Sequence, residues 1–471
     1  MKNKISFIII LLILSKISFG KEDFSTNNAG ADTIIINKII IVGNVKTKEK
    51  IILRELLFNV NDTLTKKQFS NYKVKSKENL TNTSLFNYIT INTTQEEGVY
   101  VNVYLLLEER WYLWPYIILE QADRNLSAYL HNKEWSRINY GLMLVKNNFR
   151  GMGETIKLKV RLGYKEQLEV AYDIPYLGNT HQHGLTTKIS WFRQCEIPYS
   201  IESDKLVFFK NSNNYIARKF YSKISYHFRN KYYIRHTLSV LYEYDNVQDT
   251  IIILNNNYFD KPQNSSQYLG VEYNFNIDKR NYIHYPLKGY NVDFTISQKG
   301  LNLLNNEMDG IWSFETEAYY YKMYSKRWYS GLGLRGKIST NKKQPFFIEE
   351  ALGYDTYLRS FEYYVVNGQQ YITGRSFLKY AIIPRKIAYI NGLKWTKFNK
   401  VHYSLYVNTF IDIGYVNDTK KSIYNKYPNT FLASGGIGVD FVAYYDKIIR
   451  LEYSVNRFKE HGFFIHLKKA F

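Results

Sequence analysis

The sequence predicts a mainly β protein in which one small α+β domain precedes a long antiparallel sheet closed into a membrane-spanning barrel. Three observations lead there. The N-terminus reads as an export signal and no later segment reads as a membrane helix. The composition is rich in aromatic residues and poor in proline. From Trp111 onward, apolar and polar residues alternate strictly over segments of about ten residues, the length a tilted strand needs to cross a bilayer.

The N-terminus comes first. Lys2 and Lys4 precede an apolar run from Ile5 to Leu14, and Ser18-Phe19-Gly20 places small residues around a cleavage point. Residues 1–20 are therefore expected to be a secretory signal peptide, too short an apolar run for a membrane span. No cysteine follows the run, so lipoprotein processing is not expected. Beyond Gly20 no uninterrupted apolar stretch has the length of a transmembrane helix. The single Cys195 excludes an internal disulfide framework, so packing and strand pairing must stabilise the fold.

Aromatic residues make up 17% of the chain, with 45 Tyr, 28 Phe and 7 Trp, against only 8 Pro. Membrane barrels need aromatic girdles at both interfaces and exclude proline from paired strands. The mean hydropathy of −0.37 does not oppose a barrel, because lumen-facing residues dilute the average. The net charge of +21 follows from a composition rich in Lys, Asn, Ile and Tyr, with attraction to an anionic lipid surface or lumen as the functional alternative. The lysines are scattered rather than clustered, so nucleic acid is not an expected partner.

Residues 21–33 read as a linker and 34–110 as the small domain. Ile34 to Val42 is a β-rich run closed by Gly43-Asn44. A helix is expected from Lys48 with Thr47 as N-cap, presenting Ile52, Leu53, Leu56 and Leu57 on one face. A second helix follows the capping box Thr65-Lys66-Lys67-Gln68. Strands are expected at about Tyr88 to Thr94 and Val99 to Leu107. This β-α-α-β-β order, with Gly43-Asn44, Thr47, Arg54-Glu55-Leu56 and Leu85-Phe86-Asn87, resembles a POTRA domain. The resemblance implies a periplasmic module that receives unfolded chains by strand addition at an exposed edge.

Residues 111–471 are expected to form the barrel. Ile156, Leu158, Val160 and Leu162 alternate with Lys157, Lys159, Arg161 and Gly163. Tyr403, Leu405, Val407, Thr409, Ile411 and Ile413 alternate with residues that include Phe410, Asp412 and Gly414. Ile449, Leu451, Tyr453 and Val455 alternate with Arg450, Glu452, Ser454 and Asn456. Barrel closure removes the unpaired edges that lipid does not tolerate. Phe471 ends the chain, with Phe463, Ile465 and Leu467 on one face of the last strand. That end resembles the signal by which outer-membrane barrels are recognised for assembly, although Lys468 and Lys469 depart from it. Trp111 and Trp114 are expected at the periplasmic membrane interface, with packing against the first strand as the alternative.

Two further motifs carry the resemblance. Leu358-Arg359-Ser360-Phe361 is similar to the Val/Ile/Leu-Arg-Gly-Phe/Tyr motif in the long sixth loop of the BamA/TamA superfamily, with Ser360 in place of glycine. The following Glu362 to Gln369 is similar to single-POTRA members from Bacteroidetes. Phe410-Ile411-Asp412-Ile413-Gly414 looks like the superfamily's Phe-x-Asp-x-Gly strand motif. The resemblance implies that Arg359 and Phe361 reach into the lumen to meet Asp412 and Gly414. It also implies about sixteen strands, with a weak seam where the first and last meet. Alternation alone turns the Asp412 carboxylate inward, where a guanidinium can bind it through two parallel hydrogen bonds.

Enzyme chemistry finds no support. The nine His are dispersed, with no metal-ligand spacing and no nucleophile elbow, and Gly151-Met152-Gly153 reads as a hairpin turn rather than a phosphate loop. No catalytic residue, metal or cofactor is expected. The resemblance implies an outer-membrane protein assembly factor, monomeric, with its POTRA domain in the periplasm. Its expected partners are unfolded outer-membrane protein clients, outer-membrane lipids and accessory assembly proteins. The alternative within the same barrel family is a dedicated secretion pore or a lipid or solute channel.

Overall fold

A computed structural model describes residues 33–96, 98–121, 138–211, 214–305, 307–340, 343–392 and 395–468. The expected signal peptide, most of the linker and Phe471 lie outside the described residues. The N-terminal unit opens with β1 (Thr33–Val42), a short helix α1 (Glu49–Leu53), a three-residue β2 (Thr63–Thr65) and α2 (Lys66–Asn82). It closes with β3 (Phe86–Gln95) and β4 (Tyr100–Glu109). The sheet order is β2-β1-β4-β3, with β1 and β4 parallel. Ile36, Ile52, Phe58, Leu80, Val103 and Leu105 are fully buried between sheet and helices, each worth roughly 1.5–3 kcal/mol relative to exposure.

Thr65 caps α2 as its sequence requires: its hydroxyl accepts from Gln68 N at 3.1 Å, and the Gln68 side chain accepts from Thr65 N at 3.0 Å. The first helix differs from expectation. It is five residues long and its N-cap is Lys48. Thr47 is drawn elsewhere, because its amide donates to the Glu109 carboxylate and its hydroxyl accepts from Asn148 Nδ2 at 2.9 Å. The helix ends at Leu53, whose side chain is exposed, while Leu56 is buried in the following turn.

The barrel wall is one antiparallel sheet of 16 strands in unbroken sequential order apart from one excursion. Its strands are β5 (Leu113–Gln121), β6 (Ile138–Asn147), β7 (Thr155–Gly163), β8 (Lys165–Leu177) and β9 (His183–Gln194). A separate hairpin, β10 (Glu196–Glu202) and β11 (Lys205–Lys210), interrupts the order. The wall resumes with β12 (Ala217–Asn230), β13 (Ile234–Val247), β14 (Ser265–Asp278), β15 (Gly289–Lys299), β16 (Ile311–Met323) and β17 (Trp328–Ser339). It finishes with β18 (Gln370–Tyr389), β19 (Lys400–Asn417), β20 (Leu432–Ala443), β21 (Lys447–Asn456) and β22 (His461–Lys468). Short helices α3 (Asp249–Leu254) and α4 (Thr396–Asn399) sit in connections.

The alternation read from sequence is the alternation of the wall. Leu158, Val160, Leu162, Val407, Ile411 and Ile413 are exposed on its outside, where lipid replaces water. Phe410, Asp412, Asp440 and Glu452 are buried inside. Proline marks the irregularities, since it cannot donate to a ladder. The β18–β19 register shifts between Ile383 and Lys386, around Pro384, and the β8–β9 register shifts between Ile174 and Leu177, around Pro175. Pro115 is tolerated in β5 because that strand ends the sheet and pairs only with β6.

Candidate functional site

The connection between β17 and β18 folds back into the lumen rather than standing away from the barrel. Leu352 and Val366 form a bridge across it. Leu358, Phe361 and Val366 pack with Tyr371, Val416, Tyr427 and Leu432 in a buried cluster. The Phe361 ring meets Tyr427 edge-on at 5.3 Å. Leu358 lies against Gly414, its methyls about as far from a Cβ built there as ordinary packing allows. This apolar anchor fixes where Arg359 points.

The Arg359 guanidinium meets Asp412 in two parallel hydrogen bonds, Nε to Oδ2 at 2.7 Å and Nη2 to Oδ1 at 2.5 Å. It also stacks 3.6 Å from the Phe410 ring centre and reaches Glu452 at 3.4 Å. Asp412 is 0% exposed. A carboxylate so enclosed requires a fixed cation, and arginine supplies one in the matching planar geometry. Ser360 adopts φ +70°, the left-handed region where a glycine carries no steric penalty.

The cluster extends beyond the two sequence motifs. Glu452 on β21 and Glu362 on the loop both face His466 of the last wall strand, whose Nε2 lies 3.2 and 3.1 Å from them. The Tyr357 ring stacks on His466 at 5.4 Å and Tyr363 contacts Phe464 at 5.1 Å. The loop therefore grips β22 directly. Glu362, Glu452 and His466 lie close enough together to surround a cation, and Arg359 already brings positive charge to Glu452. A second network lies beside it: Asp440 accepts from Arg450 Nε at 2.7 Å and Lys379 Nζ at 2.9 Å. Arg450 and Glu452 were visible as inward positions of an alternating strand, but their partners lie on other strands and a loop and left no local signal.

Of the other residues singled out from sequence, those described lie on or beside the first and last strands of the wall. Phe463 and Leu467 are exposed on the outer face of β22, with Ile465 between them partly covered. Trp111 is partly exposed at the head of β5, and Trp114 packs edge-on against Tyr445 at 4.8 Å and Phe398 at 6.1 Å. Lys447 Nζ stands 5.5 Å from the Tyr116 ring, so the two ends of the sheet approach each other. Among the described residues no ladder joins β5 to β22, whereas every other neighbouring pair of the wall is hydrogen-bonded.

A sixteen-stranded wall, a folded-in loop and an N-terminal α+β unit define a β-barrel whose lumen a loop occupies, preceded by one small domain. Residues 148–443 match the Omp85 superfamily domain, and residues 34–106 match a POTRA model described as a surface antigen variable number repeat. The chain belongs to the Omp85 superfamily. Proteins of this superfamily are outer-membrane proteins with periplasmic POTRA domains, and they assemble or transport other molecules rather than catalyse reactions. The fold is also similar to that of solved structures of low identity. CdiB from Escherichia coli matches at 9% identity and TM-score 0.55, over 93% of this chain and 76% of that one. CdiB from Acinetobacter baumannii matches at 12% identity and TM-score 0.50, over 92% and 74%. A BamA from Haemophilus ducreyi lacking POTRA domains 1–3 matches at 14% identity and TM-score 0.48, over 93% and 82%. No curated protein sequence matches this chain.

Proposed function

We propose that this protein is an outer-membrane protein assembly factor, with residues 34–110 as its POTRA domain and 111–471 as its barrel. The POTRA domain binds an unfolded barrel precursor in the periplasm, and the β5–β22 seam guides its strands into the bilayer. The observation that carries this reading is the seam itself. It lies between the first and last strands of the wall, with no ladder between them among the described residues. An edge presented within a membrane offers unpaired amides and carbonyls to a strand that must satisfy its own. Arg359, Phe361, Asp412 and Gly414 hold the loop that grips β22, so they set how freely the seam opens. Phe463, Ile465 and Leu467 present a lipid-facing edge there, and Trp111 and Trp114 anchor the first strand at the periplasmic rim. The folded client is the lower-energy product, so no nucleotide is required.

The secretion or channel reading predicts a path through the lumen, which in this conformation is occupied by the loop. Assisted folding separates the two. Purified protein in liposomes is challenged with urea-unfolded barrel clients, alongside Arg359→Ala, a variant lacking residues 34–110 and an unrelated barrel. Faster client folding than with the unrelated barrel, reduced in both variants, is expected. No acceleration for any client would refute the assembly reading.

A further inference from the structure

A second segment enters the lumen, from the periplasmic side. The segment between Asp278 and Gly289, joining β14 to β15, does not remain at the rim but reaches across the barrel. Its base is fixed by Lys279 N donating to Tyr290 O at 2.8 Å and by Asn281, whose side-chain oxygen accepts from Leu287 N and Lys288 N, both at 3.1 Å. Its tip is Tyr285, which is buried. The Tyr285 hydroxyl donates to Asp440 Oδ2 at 2.7 Å and accepts from Lys379 Nζ at 3.0 Å. Asp440 stands on β20, separated from β15 by four other strands. The Tyr285 ring lies 5.0 Å from that of Tyr406, within an apolar cluster that includes Tyr329, Ala381, Val442 and Ile448.

The same segment is held from the other side by the POTRA domain. Asn82, the last residue of α2, donates to Arg280 O and accepts from Ile283 N, both at 3.1 Å. Ser84 Oγ lies 3.0 Å from His284 Nε2. Two cavities flank the segment. One of about 610 Å³ is lined by Tyr285 and by Arg359 of the lumenal loop, the other of about 370 Å³ by Asn82, Glu55 and Tyr232, and Ile283 borders both.

We propose that the segment from Lys279 to Lys288 is a periplasmic plug latched by the end of POTRA helix α2. Movement of that helix end releases the backbone that Asn82 holds, Tyr285 leaves Asp440 and Lys379, and the two cavities join. The POTRA domain thereby controls access to the lumen floor, while the β17–β18 loop occupies the lumen from the other end. Hydrogen bonds make a suitable latch, because they are strong enough to hold a closed state and are lost together when one partner moves.

Single-channel conductance of the full-length protein in planar bilayers tests this, with every variant made in an Arg359→Ala background that frees the outer loop, and with heat-modifiable gel migration verifying a folded barrel. Tyr285→Phe keeps the ring and removes both hydrogen bonds, and is expected to raise the open probability roughly tenfold. Asn82→Ala is expected to raise it by a similar factor without touching the lumen wall. Tyr285→Phe conducting no more than its Arg359→Ala parent would overturn the plug. A response to Tyr285→Phe but none to Asn82→Ala would overturn the latch. Conductance reports the plug whether or not the protein accelerates client folding, so the two readings fail separately.

Discussion

Arg359→Ala is the sharpest perturbation of the loop. It removes both hydrogen bonds to Asp412, the contact with Glu452 and the stack on Phe410. Asp412 is then left fully buried with Arg375 as its nearest remaining cation, 4.0 Å away. Removing one partner of a buried ion pair costs about 3–5 kcal/mol, chiefly because the other charge stays behind. This corresponds to roughly a 150- to 5,000-fold larger undocked population of the loop. The apolar anchor of Leu358 and Phe361 is untouched, so the barrel should still assemble. Proteolysis of the loop under rapid opening and closing reads that population directly, and hydrogen exchange reads it residue by residue. Arg359→Ala/Asp412→Asn should recover part of the loss, because no lone buried charge remains. Arg359→Lys should fall between, keeping the charge but losing the planar fork. A rise in cleavage below threefold in Arg359→Ala, or strictly additive single and double substitutions, would refute a pairing energy of this size.

Three other outcomes are expected. Ser360→Gly relieves a left-handed residue and should slow loop cleavage by a factor corresponding to about 1 kcal/mol; no change would show that the local backbone relaxes freely. Glu55→Ala should release the POTRA domain from the barrel mouth. Glu55 is 0% exposed and accepts from Arg229 at 2.7 and 2.9 Å, so its loss costs about 3–5 kcal/mol. Exchange should rise in α1 and the turn after β12 while the barrel core stays protected. Acid should unseat the periplasmic plug. Burial, reinforced by Arg110 and Arg280, holds His284 down to about 4. Asp446 lies 3.7 Å away but is paired with Arg110, and Ser84 and Tyr282 supply the remaining contacts. The seated His284 binds fewer protons than a released one. Seating is therefore strongest above pH 6.5 and weakens as pH falls towards 4, by roughly 30-fold at pH 5. His284→Gln should abolish this dependence of conductance on pH, and its persistence would assign the effect to another group.

The barrel was legible in the sequence because a strand with lipid on one side and a polar lumen on the other must alternate at every position. That constraint is local, so Ile156 to Gly163 and Tyr403 to Gly414 display it without reference to their neighbours. The α2 capping box was legible for the same reason, since Thr65 and Gln68 satisfy each other within one turn. Arg359 and Asp412 could be paired in advance only because a family resemblance supplied the long-range information that spacing lacks.

What the sequence did not reveal was set by chain closure. Thr47 has the residue type of an N-cap, but the barrel brings Asn148 and Tyr112 to it, and buried partners outweigh a solvent-exposed cap. Pro384 and Pro175 were unremarkable residues until strand pairing made their missing amide protons into register shifts. Glu362, Glu452 and His466 come from a loop and two strands, and Tyr285 meets Asp440 across the lumen. Which face of each strand meets lipid and which meets the lumen can be read from the chain alone, because it follows from a two-residue period. Which inward charges become partners, and which segments fill the lumen, was decided only by the curvature that brings distant strands to face one another.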